Sequence, residues 1–485
     1  MGKELLGKLE WRVNVPDGTS DRLEPEFGPV LKVWLGLKSL LEGFIRKIWK
    51  FFKKAWDIGV AEPKKVIHGV KVGLCISIVS LFYYMRPLYE GVAGSRTMWA
   101  IMTVVVVFES TIGSTLYKCI NRVTATFLAG SLGVGVHWVA SHSGENLEHV
   151  ILGISVFLLA SAATFSRFIP SIKARFDYGA MIFVLTFSLI SVSYREKKLL
   201  EFACQRLSTI VIGTSLCIFI SMLFCPIWAG TELHQLICRN FEKLAYSLDE
   251  IVTEYFKDEK TLKASDENCN KRILGYKCVL NSKATEESMA NLARWEPAHG
   301  RFNFRHPWKQ YLKTGASMRD CAYCIETLYS CVNSEIRAPP HLKKHLKNMC
   351  MRLRSTSSIV LEELGITMKT MTKSATIDIL VAEMNFAVQE LKSALNSLPD
   401  HVLTSQSSTL DASEDVEKIA TTPFTEILPL TTLVYLLIEN ATKIERIVKA
   451  VDELAALAEF KPVADKKTIY RQSMVKLTPA SNQDV

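Results

Sequence analysis

Six apolar stretches crowd residues 66 to 225: VIHGVKVGLCISIVSLFYYM (66–85), MWAIMTVVVVFESTI (98–112), the run 119–141, HVILGISVFLLASAATFS (149–166), DYGAMIFVLTFSLISVSY (177–194) and RLSTIVIGTSLCIFISMLFC (206–225). Crossing a bilayer takes about 20 apolar helical residues, because only helices and closed barrels satisfy their backbone groups inside hydrocarbon. The stretches are therefore expected to be transmembrane helices. The second is short and must tilt, sit among its neighbours or extend toward Gly94 and Ser95. The fold class is all-α, a polytopic membrane protein with six transmembrane helices followed by a cytosolic helical domain.

The chain is 48% hydrophobic yet 22% charged because its two halves differ. Beyond about residue 230, Ile237, Phe241, Leu244, Leu248, Ile251 and Tyr255 recur at spacings of three and four. So do Leu380, Met384, Val388, Leu391 and Leu395, and later Ile444, Ile447, Val451, Leu454 and Leu457. That period predicts amphipathic helices with one buried face. The expected organisation is a cytosolic N-terminus over 1–60, a transmembrane domain over 61–228, a helical domain over 229–460 and a disordered tail over 461–485. HVLTSQSSTLDASEDVEKIATTP reads as a flexible linker whose hydroxyls could accept phosphate.

Charge sets the orientation. RKIWKFFKKAW and EPKKV precede the first stretch, RFIPSIKARF joins the fourth to the fifth, and SHSGENLE has no Lys or Arg. The positive-inside rule then places both termini in the cytosol. YREKKLLEFACQR disagrees; it reads either as an electropositive outer mouth or as a solvated face. Residues 31–56 mix Leu, Ile, Phe and Trp with seven lysines and arginines, which predicts a helix lying on the inner leaflet. The first 28 residues have no apolar h-region, so no cleaved signal peptide is expected, and Leu6 stands where a myristoylation pattern wants Ser or Thr.

The net charge of +9 lies beside the apolar stretches and not on a soluble basic patch, so the lipid bilayer and small anions are the expected partners and nucleic acid is not. Walker A, GxSxG, HExxH and strand-linked GxGxxG patterns are missing, and no catalytic residue, metal site or cofactor is expected. Cys321 and Cys324, with Cys331 beyond, have metal-ligand spacing without a second pair, which fits one face of a helical core better than zinc. His341 and His345 read as a solvated basic face. RWEPAHGRFNFRHPWKQY (294–311) interleaves aromatic and basic residues on an irregular backbone. It reads as a loop burying its rings against the bundle, or as the coupling surface between tail and membrane domain.

Lys71 lies inside the first stretch, Lys118 and Arg122 begin the third and Arg206 begins the sixth, with Glu109 the one acid among them. A charge at the bilayer centre costs about 2.5–3.5 kcal/mol. Each cation alone could snorkel to the interface; together they suggest a path for anions. Arg86, after the first stretch, is a secondary candidate with Lys71 and Glu109.

PKKVIHGVKVG, MWAIMTVVVVFESTIGSTLYKCINR, FDYGAMIFVLTFSLISVSY, RLSTIVIG, CPIWAG and RWEPAHGRFNFRHPWKQYLKTGASMRDCAYCIE together resemble the plant aluminium-activated malate transporter family over residues 55–335. The resemblance implies a dimeric anion channel with six spans per subunit that passes malate and inorganic anions. By motif it carries the anion-path role onto Lys118, Arg122 and Arg206. YKCINR departs from the family's GKGLNR, with Tyr117 and Cys119 in place of glycines and more bulk near the pore. A plasma-membrane location is expected, with the vacuolar membrane or an endomembrane open. The runner-up is a proton-coupled organic-anion exporter using Glu109 as its titrating group.

Overall fold

A computed structural model describes residues 29–84, 98–192, 199–257, 272–334, 340–407 and 424–462. Arg86, the YREKK part of the basic loop after the fifth stretch, the linker beyond 407 and the last 23 residues lie outside these. The chain divides into two units, residues 1–70 and 71–485. In the first, α1 (Pro29–Ala61) is a single helix. Its Trp34, Phe44, Trp49, Phe52 and Trp56 are all more than half exposed, the apolar face that the 31–56 pattern foretells.

The apolar stretches fold as α2 (Pro63–Tyr84), α3 (Met98–Val107), α4 (Ile112–His142), α5 (Glu145–Ser166), α6 (Pro170–Val192) and α7 (Leu199–Leu223). Four helices among the described residues are long and apolar enough to cross a membrane, those within α4, α5, α6 and α7. Helix α2 is 22 residues long and α3 only 10, about 15 Å at 1.5 Å per residue. Large apolar side chains such as Phe127, Phe157, Phe165 and Phe219 point outward, each more than half exposed, as a lipid-facing surface requires.

Three helices, α4, α6 and α7, start seven residues earlier than their apolar runs. Thr111 caps α4, its hydroxyl accepting from the Ser114 N–H at 3.3 Å. The Thr115 hydroxyl donates to the Thr111 carbonyl at 3.1 Å, so GSTLYK is helix and not loop. Lys118 and Arg122 consequently stand in the second and third turns of α4, and Arg206 two turns inside α7. Small residues let α4 and α6 approach: a Cβ on Gly133 would sit 2.8 Å from Ile190.

The tail is built from α8 (Ala229–Phe256), the short α9 (Gly275–Leu280), α10 (Lys283–Ala293), α11 (Trp308–Val332), α12 (Pro340–Thr370), α13 (Ile377–Ser407) and α14 (Phe424–Leu457). A two-residue parallel pair, β1 (Thr372–Lys373) with β2 (Lys461–Pro462), ties the end of α12 to the end of α14. The periodic face of α8 is buried from Ile237 to Tyr255, and Ile444, Ile447, Val451 and Leu454 follow on α14. Leu457, read as part of that face, is exposed because the helix ends there. Cys321, Cys324 and Cys331 donate to α14 at Asn440 Oδ1 (3.3 Å), the Leu436 carbonyl (3.4 Å) and the Pro429 carbonyl (3.7 Å). Those sulfurs serve a helix–helix contact, and burial pushes the Cys324 thiol up to about 11.

Candidate functional site

Arg122 and Arg206 stand on α4 and α7, two helices that pack against each other. Both are at least 94% buried. Arg122 donates through Nη1 to the Tyr178 hydroxyl of α6 at 3.0 Å, and its Nε has no partner in the protein among the described residues. The Arg206 guanidinium lies 4.2 Å from the centre of the Trp99 ring at the start of α3, while its Nε and Nη1 lack hydrogen-bond partners among the described residues. An aromatic face steadies a cation by about 2 kcal/mol when it is desolvated, without cancelling the charge. Two desolvated guanidinium groups thus lie on neighbouring helices with no carboxylate on either among the described residues, an arrangement a protein interior ordinarily avoids.

The other candidates are committed differently. Lys118 forms an ion pair with Glu109, lies 5.7 Å from the Tyr178 ring centre and reaches the Val106 carbonyl at 3.3 Å. Lys71 is buried and donates at 2.9 Å to the carbonyl of Cys225, two residues past the end of α7. The structure therefore brings Lys118, Arg122 and Tyr178 together, sets Arg206 opposite, and keeps Lys71 as a tether. Tyr117 turns its ring edge-on to Trp295 at 5.6 Å, and Cys119 packs inward with its thiol 3.7 Å from the Thr214 carbonyl. The bulk added by these two residues goes into helix contacts.

Tyr178 and Trp99 escape a reading of charge and motif, since both are aromatic residues in apolar helices and only the fold sets them against a guanidinium. Glu296 escapes it too. Its carboxylate is buried and accepts from Gly113 N–H (3.1 Å) at the start of α4, and from Ala229 N–H (2.6 Å) and Gly230 N–H (3.0 Å) at the start of α8. One carboxylate thus sits at two helix N-termini, where the macrodipoles favour negative charge. Burial still raises the Glu296 carboxyl above its ordinary value against the pull of those donors. Glycine is needed on both sides: a Cβ on Gly113 would lie 2.8 Å from the carboxylate and 2.6 Å from the Leu292 carbonyl, and one on Gly230 2.5 Å from Trp308. The Ile112 N–H donates to the Ile227 carbonyl at 2.8 Å beside it, so α4 and the tail are joined at this point.

Fold and site together define a helical membrane protein whose apolar core holds unpaired guanidinium groups, with a helical tail bonded to the helix that carries one of them. The family model for "Aluminium activated malate transporter" matches residues 56–419. The chain is 54% identical over 490 aligned residues to aluminum-activated malate transporter 10 of Arabidopsis thaliana, covering 96% of this chain and 98% of that one. It is 42% identical to aluminum-activated malate transporter 2 of the same plant, covering 86% and 80%, and 36% identical to aluminum-activated malate transporter 1 of Triticum aestivum, covering 91% and 93%. The chain belongs to the aluminium-activated malate transporter family, whose members move solute and are not enzymes.

Proposed function

We propose that the protein is an anion channel that conducts malate, and inorganic anions with it, down their electrochemical gradient across a plant cell membrane, the plasma membrane before the vacuolar one. The observation that carries this is the pair Arg122 and Arg206, buried in apolar helices without a carboxylate partner among the described residues. An anion at 4 Å from such a group gains about 4 kcal/mol at an effective dielectric near 20, enough to offset lost hydration without trapping the ion. Two guanidinium forks suit a dicarboxylate, because each binds a carboxylate in planar bidentate fashion. Lys118, nearer the tail, supplies charge at the mouth.

In this reading α2 to α7 are the six spans of the 61–228 channel domain, the tail over 229–460 is cytosolic with both termini, and α1 lies on the inner leaflet. Two subunits form the working unit. Glu109 is engaged by Lys118 and acts as its counter-ion, which weighs for the channel against a proton-coupled exporter. The two separate by driving force, since one charge across 100 mV is worth about 2.3 kcal/mol. In patches with malate gradients, the channel's current reverses at the malate equilibrium potential and Glu109→Gln alters conductance only. A reversal potential that follows the proton gradient, and ceases to do so in Glu109→Gln, establishes the exporter instead.

A further inference from the structure

In the tail, α8 and the end of α12 flank the turn His299–Phe302, and between them lies an open cleft of about 680 Å³. That falls within the roughly 300–1,000 Å³ of small-molecule sites. Its apolar wall is Trp228, Phe302 and Met371, and its cations are Arg239, Arg301 and Lys369 against one carboxylate, Glu242. None of the three cations joins an ion pair among the described residues, whereas Lys313, Arg319, Arg352, Arg354 and Lys443 elsewhere in the tail do.

The turn that carries Arg301 is fixed. His299 and Phe302 bridge, Gly300 takes the left-handed φ of 56° that the bridge needs, and the Arg301 guanidinium donates to the Lys369 and Thr370 carbonyls at 3.3 and 3.2 Å. One edge of that fork is spent on the end of α12 and the rest is left for a ligand. Excess positive charge over an apolar wall selects an anion with a carbon skeleton, and a guanidinium fork accepts carboxylate and phosphate alike.

We propose that this cleft binds a small organic polyanion, one with two or more carboxylate or phosphate groups on a short skeleton, separately from the anion path in the membrane. Its occupant would rest against Trp228, whose ring stacks on His299 at 3.9 Å and which directly precedes the two N–H groups held by Glu296. The ligand therefore sits at the joint between tail and α4. Binding here has a direct physical route to the helix that carries Arg122.

Isothermal titration calorimetry on the full chain in lipid nanodiscs, at fixed ionic strength, tests this with citrate, malate and orthophosphate as probes. Citrate is expected to give saturable heat, and orthophosphate measures how far a single phosphate suffices. The double variant Arg239→Gln, Lys369→Gln, with both side chains exposed and the fold kept, should weaken citrate at least tenfold. Glu242→Gln should strengthen it severalfold, and Arg122→Gln with Arg206→Gln should leave it unchanged. The cleft assignment is overturned if no probe gives saturable heat, or if the Arg239 and Lys369 changes leave affinity intact. Heat that disappears only with Arg122 and Arg206 also overturns it, and places the anion in the membrane path while supporting the channel reading.

Discussion

Buried charge is handled differently in the two halves of the molecule. In the tail, Glu286 is fully buried and is met by Arg319 and by the Ser282 hydroxyl at 2.6 Å, and Glu296 is met by three backbone N–H groups. Among the apolar helices, Lys71 and Lys118 are likewise partnered, near the end that joins the tail. Arg122 and Arg206, deeper in, have a tyrosine hydroxyl and a tryptophan face and, among the described residues, no carboxylate. Structural charges bring a counter-charge or backbone hydrogen-bond partners with them. A pair that does not is arranged for a counter-ion that comes and goes.

That contrast breaks most readily at Glu286. Glu286→Ala leaves Arg319, whose side chain is only 12% exposed, without its carboxylate, which should cost about 3 kcal/mol of tail stability, read as a lower unfolding midpoint of the purified protein. If stability is unchanged, an unpaired guanidinium carries no penalty here and the argument from Arg122 and Arg206 loses its force. Acid tests the tail's polar core next. Burial holds His234 and His306 down at about 4, with the Arg301 charge facing His234 and the His234 and His299 rings facing His306. Depressed histidines favour the neutral form in the folded state, so their stabilisation is complete above pH 6.5 and lost as pH falls from there toward 4. For His234 alone the loss is about 3 kcal/mol, and His306 adds in the same direction. A midpoint flat between pH 7 and 4.5 contradicts it.

The smallest effect sharpens the account of the joint. Trp295 is half-buried and touches Tyr117 of α4 edge-on, so Trp295→Ala should cost about 0.5–1.5 kcal/mol. Surface abundance is then near normal and opening is altered. A loss of 3 kcal/mol or more, with the protein retained inside the cell, makes the ring a core residue and not a coupling contact.

Much of this was legible in the residues. Periodic apolar faces foretold the buried side of α8, and the run of apolar stretches foretold helices α4 to α7, because both signals are local. The start of α4 was not, since GSTLYK is polar by composition and becomes helical through its Thr111 cap and the Thr115 hydroxyl. Glu296 stood in plain view within the WEP stretch, yet its partner Gly113 is 183 residues away. Tyr178 and Trp99 gave no signal, as an aromatic residue in an apolar helix is ordinary until a guanidinium lies against it. Lys118 reads as a path residue from its charge and its place in YKCINR, and its pairing with Glu109 had to come from the break between α3 and α4.

The most direct test of a mobile counter-ion at Arg122 and Arg206 is the malate current of cells expressing each variant, scaled to surface abundance. Arg122→Gln and Arg206→Gln should each remove most of the current, and Arg122→Lys should keep current while losing preference for malate over chloride, because an ammonium lacks the bidentate fork. Lys118→Gln should reduce it modestly, in a salt-dependent way. Normal malate currents in both glutamine variants contradict the account and leave the two arginines as buried charges without a transported partner.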